Sequence, residues 1–377
     1  MAGEHRTNEI GTVRGSMTIP ALALHDRLDK MGVDALLFNT SENLQSFNLT
    51  HLTGFTGSEA SILITRNERH LFTDGRYKTQ ARQQTPGFRI HVVRSKQEAL
   101  ARSLSALKVR KVGIEASRVS YEFVTALLRK ARGLEVVPLK REFLENLRIR
   151  KTAEEKEKIL AAATIASQAC REVLNSGLVD KREVDIAAGL EALFRSKGAD
   201  GIAFETIVAS GGRSALPHGA ATDKVIGRGE LIIVDFGCRR NGYNSDETVT
   251  CVSGAATSQQ KRLFEAVYRA HMSALEALRV GIRAREVDRI ARQAIDKAGL
   301  GKYFLHGLGH GVGLEIHEPP YLSPRGRGIL TEGMVFTVEP GVYVEGVGGV
   351  RLESLVYLER SGPLLLSGMP KELIPVA

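Results

Sequence analysis

Two segments in the second half of the chain repeat one pattern, and that repeat restricts the possible folds more than any other feature. The first reads Gly229-Glu-Leu-Ile-Ile-Val-Asp235-Phe-Gly237 and, after a turn, Tyr243-Asn-Ser-Asp246. The second reads Gly333-Met-Val-Phe-Thr-Val-Glu339-Pro-Gly341 and, after a turn, Gly349-Val-Arg-Leu-Glu353. In both, a glycine, five residues and a carboxylate are followed by a glycine two positions on. Ile232-Ile233-Val234 is a β-branched run that predicts a buried strand ending at Asp235. Asn241-Gly242 predicts a hairpin turn. With that dipeptide as the turn, Asp235 lies diagonal to Asp246; with the loop centred on Arg240-Asn241 the two are directly opposite. Either register keeps both side chains on one face. Glu339 and Glu353 repeat the arrangement around the longer loop Glu345-Gly-Val-Gly-Gly349.

Four carboxylates on converging strands repel one another and cannot all stay ionised without cations. His306-Gly-Leu-Gly-His310-Gly lies between the two hairpins and offers an imidazole. Oxygen donors with one imidazole suit Mn, Co, Fe or Zn. Two such ions, roughly 3.5–4 Å apart, can bridge a water and make hydroxide near neutral pH. The residues alone therefore predict a dinuclear hydrolytic centre.

A chain of 377 residues favours two domains. Its 43% hydrophobic and 25% charged content is ordinary for a soluble globular protein. No apolar run approaches the roughly 20 residues of a membrane span. Residues 1–16 lack the apolar stretch of a secretory signal and are expected to form a disordered tail, with Met17 as an alternative start. Cys170, Cys238 and Cys251 are too few for a disulfide framework and suit packing roles in a reducing cytoplasm. The net charge of +9 is spread along the chain without a basic run or aromatic platform. It predicts a solvated basic surface rather than nucleic-acid or membrane binding.

Residues 17–150 alternate helix and strand. Leu22–Met31 is an expected helix, Ala35–Phe38 a strand, and Ser61–Thr65 with His70–Thr73 a hairpin. Helices are expected at Arg76–Arg82 and Tyr121–Lys130. Arg148-Ile-Arg-Lys151 reads as a basic connector. Thr152-Ala-Glu-Glu155 is a capping-box pattern that opens the next helix, so the second domain is expected to span 151–377. Helical segments at 152–174, 183–197, 257–279 and 284–298, with a carboxylate hairpin after each pair, predict an internally duplicated α+β domain with the site on its pseudo-symmetry axis.

The ordered motifs resemble the creatinase/prolidase/aminopeptidase P family, the pita-bread-fold metallopeptidases. The resemblance rests on Leu52-Thr-Gly-Phe-Thr-Gly57 and Leu71-Phe-Thr-Asp-Gly-Arg-Tyr77 in the front domain. In the back domain it rests on Phe204-Glu-Thr-Ile-Val-Ala-Ser-Gly211, Leu216-Pro-His218, Asp235-Phe-Gly237, Gly242-Tyr-Asn-Ser-Asp246, His306-Gly-Leu-Gly-His310-Gly, Glu339-Pro-Gly341 and Val350-Arg-Leu-Glu353. It implies a creatinase-like N-terminal α/β domain joined to a pita-bread catalytic domain.

The resemblance also implies roles. Asp235 binds one metal through both oxygens, Asp246 and Glu353 bridge the pair, and His310 and Glu339 complete the other metal. Glu339 also exchanges a proton with the bridging hydroxide. His218 and His317 flank the substrate, while His306 and Arg351 occupy substrate-pocket positions. Thr248 or Thr250 supports Asp246 from behind. Glu318 and Tyr243 are read as structural. The resemblance favours two Mn2+ ions per subunit and a homodimer. Its implied activity is hydrolysis of the N-terminal Xaa–Pro bond of peptides. A dipeptidase restricted to Xaa-Pro, a methionine aminopeptidase, and a non-hydrolytic creatinase-like or binding relative are the alternatives. Three positions depart from the family pattern: Val249 replaces a common arginine, Ser354 a common acid, and Arg213 a smaller polar residue that would leave the pocket wider.

Overall fold

The computed structural model describes residues 28–377. The expected tail, Met17 and most of the helix placed at Leu22–Met31 lie outside them; residues 28–31 are helical. The chain divides into two units, one ending at Leu144 and the other spanning Glu145–Ala377.

The first unit is built on a six-stranded mixed sheet. Its spatial order is Arg89–Val92, Arg69–Thr73, Ala60–Thr65, Ala35–Thr40, Lys111–Ile114 and Glu135–Pro138. Ala35–Thr40 is buried along its whole length, as a central strand covered on both faces must be. Helices Lys96–Ala106 and Tyr121–Lys130 bury Leu100, Leu104, Phe123 and Leu127 against Leu37, Leu63 and Phe72. The short helix Phe47–Thr53 was not expected. Ser46 caps it by accepting from the Leu49 amide, and Gly54 ends it at φ 74°.

The second unit repeats one assembly. Helix Ala153–Asn175 begins with the predicted capping box, Thr152 with Glu155. It buries Ile159, Ala162, Ala163, Ala166, Ala169, Cys170 and Val173, a stripe at three- and four-residue spacing. With helix Glu183–Ser196 it covers a four-stranded sheet ordered Ile374–Val376, Glu247–Ser253, Leu231–Phe236, Ile207–Ser210. Helix Ser258–Ala277 starts with a second capping box, Thr257 with Gln260. With helix Ala284–Lys297 it covers a five-stranded sheet ordered Glu318–Leu322, Gly309–Gly311, Val335–Val338, Ser354–Glu359, Gly362–Leu365. The two halves have separate cores, except that Leu231 and Val252 of the first sheet pack into the second core. Ile232, Val234 and Val249 belong to one, and Phe336, Val338 and Val356 to the other. The three cysteines are buried free thiols in the first of these cores.

Residues 148–151 are more than a connector. The Arg148 guanidinium donates to Glu318 at 2.7 Å and to Glu315 at 2.8 Å, and Lys151 Nζ donates to Glu318 at 2.6 Å. Glu318 is 3% exposed, and burial of its charge is tolerable only with these two cations beside it. Its expected structural role is what the geometry gives. No helix among the described residues is long and apolar enough to cross a membrane.

Candidate metal centre

Strand register places the carboxylates. Arg240 pairs with Tyr243, leaving Asn241 (φ 51°) and Gly242 (φ 80°) as a two-residue turn. Asp235 pairs with Thr248, so Asp246 sits two residues along the facing strand, on the diagonal. This is the register expected with Asn241-Gly242 as the turn. Gly237 allows it, because a Cβ there would lie 2.1 Å from the Ser245 carbonyl oxygen. In the second hairpin Val338 pairs with Ser354, and Glu339 and Glu353 lie immediately beyond that rung. His310 enters from Gly309–Gly311, where Gly311 pairs with Phe336. A Cβ on Gly309 would meet the Thr337 carbonyl oxygen at 2.0 Å, so a glycine must precede the histidine.

The side chains converge. Ligand atoms of Asp246, His310 and Glu353 all lie within 4.8 Å of one another. His310 Nε2 is 3.2 Å from Glu339 Oε1 and 3.6 Å from Asp246 Oδ2. Thr337 Oγ1 donates to Glu339 at 3.1 Å and accepts from the His310 amide at 3.0 Å, tying the two together. The Arg351 guanidinium donates to Asp235 Oδ2 at 2.5 Å. All five residues line one cavity of about 560 Å³.

This cluster is electrostatically incomplete. Burial, followed by the neighbouring carboxylates, drives Asp246 and Glu353 well above the usual carboxylate range. Burial also raises Asp235, against the pull of Arg351. Glu339 goes the other way. Burial would raise it, but the hydrogen bond and charge of His310 bring it down to about 2. His310 is raised in turn, because its contact with Glu339 outweighs burial. Asp235 Oδ1 is buried and has no hydrogen-bond partner. A buried carboxylate oxygen with nothing to accept from, beside two carboxylates that repel, fits divalent cations bound among these residues.

The flanking residues are also in place. His218 and His317 both line the cavity and are both exposed. The His310 and His317 ring centroids are 4.2 Å apart. His306 contacts the Gly307 carbonyl through Nδ1 at 2.7 Å and the Tyr343 hydroxyl through Nε2 at 2.9 Å. Arg351 donates to Tyr343 and to the Pro217 carbonyl, each at 2.9 Å, and to Thr248 Oγ1 at 3.2 Å. Thr248 donates to Glu353 at 2.7 Å rather than to Asp246, and Thr250 donates to the Arg351 carbonyl at 2.8 Å. Tyr243 is buried, with its hydroxyl on Glu155 at 2.7 Å.

Arg213 does not narrow the cavity. It donates to the buried Glu183 at 3.1 Å and to the Ala220 carbonyl at 2.6 Å, bracing the loop that carries His218. Tyr343 escaped the sequence reading. Its one sequence signal is that it follows Gly341 by two residues, which puts it on the same strand face.

Comparison with known proteins agrees with this architecture. Residues 157–360 match metallopeptidase family M24, and residues 22–150 match the creatinase/prolidase N-terminal domain. The chain therefore belongs to metallopeptidase family M24. It is similar to the Xaa-Pro dipeptidase of Pyrococcus furiosus, 44% identical over 263 residues, which is 70% of this chain and 75% of that protein. Its fold superposes on the X-Pro aminopeptidase of Thermotoga maritima with a TM-score of 0.87 at 37% identity, covering 93% of this chain and 100% of the other. For an Xaa-Pro dipeptidase from Bacillus anthracis the TM-score is 0.89 at 34% identity, with 95% and 100% covered.

Proposed function

We propose that this metallopeptidase hydrolyses the N-terminal Xaa–Pro bond of peptides, and that Asp235, Asp246, His310, Glu339 and Glu353 hold two divalent cations. The observation that carries the metal centre is the orphaned, buried Asp235 oxygen beside the Asp246–His310–Glu353 cluster. Mn2+ is the ion the family resemblance favours. When bound, such ions polarise the scissile carbonyl and supply a nucleophile near neutral pH.

The chain's own groups perform the remaining tasks. Asp246 and Glu353, driven toward protonation by burial and then by the carboxylates around them, would be relieved by cations held among them. His218 and His317 stand at the cavity wall, where they hydrogen-bond the carbonyl oxygen as negative charge develops on it. Glu339, fixed by Thr337 and His310, receives a proton and delivers it to the proline nitrogen, which leaves as an amine. Phe204, Ile207 and Ile316 give the cavity an apolar wall suited to a proline ring. The front unit is non-catalytic in this proposal, and the working enzyme is a homodimer.

The second reading is a dipeptidase restricted to Xaa-Pro. Two of the three relatives above bear that name, and Arg351 could grip the proline carboxylate. In this structure Arg351 already donates to Asp235, Tyr343, Thr248 and Pro217, so the substrate would have to compete for it. A panel of Xaa-Pro, Xaa-Pro-Yaa and Met-Yaa peptides, assayed with each of Mn2+, Co2+ and Zn2+, tests both. The proposal expects release of Xaa from Xaa-Pro-Yaa, lost on chelation. Cleavage of Xaa-Pro alone supports the dipeptidase. Cleavage that survives chelation, or a preference for Met-Yaa, contradicts both.

A further inference from the structure

The residues that directly follow Asp246 and Glu353 point away from the cavity, and each is tied to the long helix beneath it. Glu247 is 2% exposed. Its Oε2 accepts from Ser167 Oγ at 2.6 Å, on helix Ala153–Asn175. Its Oε1 accepts from the Met369 amide at 2.9 Å and from Lys371 Nζ at 2.7 Å. Ser354 is fully buried, and its hydroxyl meets His271 Nε2 at 3.1 Å, on helix Ser258–Ala277. Ser167 and His271 occupy comparable places, fifteen and fourteen residues beyond the capping threonines Thr152 and Thr257. The duplicated halves thus carry duplicated tethers of different chemistry, a carboxylate on a serine in one and a serine on an imidazole in the other.

From this geometry we infer that Glu247 and Ser354 are positioning residues for the metal carboxylates, anchored by Ser167 with Lys371 and by His271. Adjacent strand residues project to opposite faces, so pinning one side chain fixes the backbone from which its neighbour reaches into the cavity. The anchors act where they are needed, because Asp246 and Glu353 repel each other and would spread apart between cations. The tethers lie on the far side of the strands from the cavity and touch no substrate. Burial keeps His271 neutral, with Lys371 adding to the effect, so one ring nitrogen remains an acceptor. Ser354 stands where the family resemblance implies an acid. A serine there lets the strand be tied to a neutral histidine without bringing a further buried charge beside four carboxylates.

The inference rests on the metal-centre reading, and its test separates the two. Wild type, S167A, S354A, H271L and H271Q are titrated with Co2+, read by visible d–d absorption, and assayed for kcat and KM on Xaa-Pro-Yaa with thermal unfolding alongside. S167A and S354A are expected to weaken Co2+ binding about tenfold, the lower end of the effect of outer-shell partners. kcat should fall and KM hold. H271L should reproduce S354A, and H271Q, whose amide keeps a donor and an acceptor, should restore most of the affinity. Titrations that overlay wild type in S167A and S354A, whatever the unfolding temperature does, overturn the inference. So does an H271L protein that binds Co2+ normally. A wild type that takes up no Co2+ overturns the metal-centre reading itself, and the inference with it.

Discussion

The two halves of the second unit share a plan but treat their carboxylates differently. In the first half Asp235 faces a cation, Arg351, that reaches across from the second half. Its remaining oxygen is buried with no partner. In the second half Glu339 faces His310 from its own sheet and is already held ionised. Duplication therefore supplied two carboxylate hairpins, and one inserted imidazole made them inequivalent. The side chains differ in reach as well, an aspartate pair on a diagonal register against a glutamate pair beyond the last rung of its ladder. A duplicated scaffold thus carries two inequivalent carboxylate pairs, and under the proposed function these would give two distinct cation positions, one to hold substrate and one to prepare the nucleophile.

The largest expected effect comes from breaking the link between the halves. Arg351→Met leaves Asp235 buried without its cation, and loss of one partner of such a pair costs roughly 3–5 kcal/mol. Urea unfolding of the metal-free protein should show that loss, and added Mn2+ should recover part of it. Equal unfolding curves would place Arg351 outside the stabilising network.

Asp246→Asn and Glu353→Gln should each lower kcat/KM by at least about 100-fold, the upper end of what outer-shell changes achieve. If the two halves contribute equally to both cations, the two variants should match within a few-fold. Thr248→Val removes the hydroxyl that donates to Glu353 and sits beside Arg351. A charge-assisted hydrogen bond of this kind contributes about 1.5–3 kcal/mol, so metal affinity should drop about tenfold or more while the fold persists. Isothermal titration with Mn2+ measures it, and unchanged affinity would remove Thr248 from the account.

The smallest effect per unit change of condition is a pH dependence, which builds up only across several pH units. Burial depresses His271 to about 3 from an ordinary 6.5, so the unfolded chain binds a proton here that the folded one does not. Its stabilising contribution is fully present above pH 6.5 and is lost as pH falls toward 3. Over the first pH unit below 6.5 the change is at most about 1.4 kcal/mol. H271Q should lack this component, so the stability gap between wild type and variant should shift steadily as pH falls. A gap that is flat between pH 6.5 and 4 contradicts a neutral buried imidazole.

Much of this was legible in the sequence because it is written locally. Capping threonines at 152 and 257, apolar stripes at helical spacing, and Asn241-Gly242 each act within a few residues. The residues proposed as metal ligands were legible through the repeat and the family motifs, and the fold brings them to one cavity. What escaped is non-local. Arg351 and Asp235 are 116 positions apart, and nothing near either announces their contact. Arg148 and Lys151 resemble a solvated connector until Glu318, 167 residues from Lys151, comes to lie on them. The helix Phe47–Thr53 is too short to show periodicity, and its cap and the buried Glu115 beneath Ser46 and Asn48 define it instead. His271 lies within an apolar helix stripe, where a histidine gives no sign that it serves a strand 83 residues away.

The central claim is that the duplicated hairpins hold a pair of cations on which peptide cleavage depends. Metal-stripped protein should be titrated with Mn2+ while bound metal and Xaa-Pro-Yaa cleavage are followed together. The account predicts no cleavage without metal, recovery that is complete near two equivalents per chain, and no recovery in Asp246→Asn. Undiminished cleavage by the stripped protein, or full activity with Asp246→Asn, would contradict it.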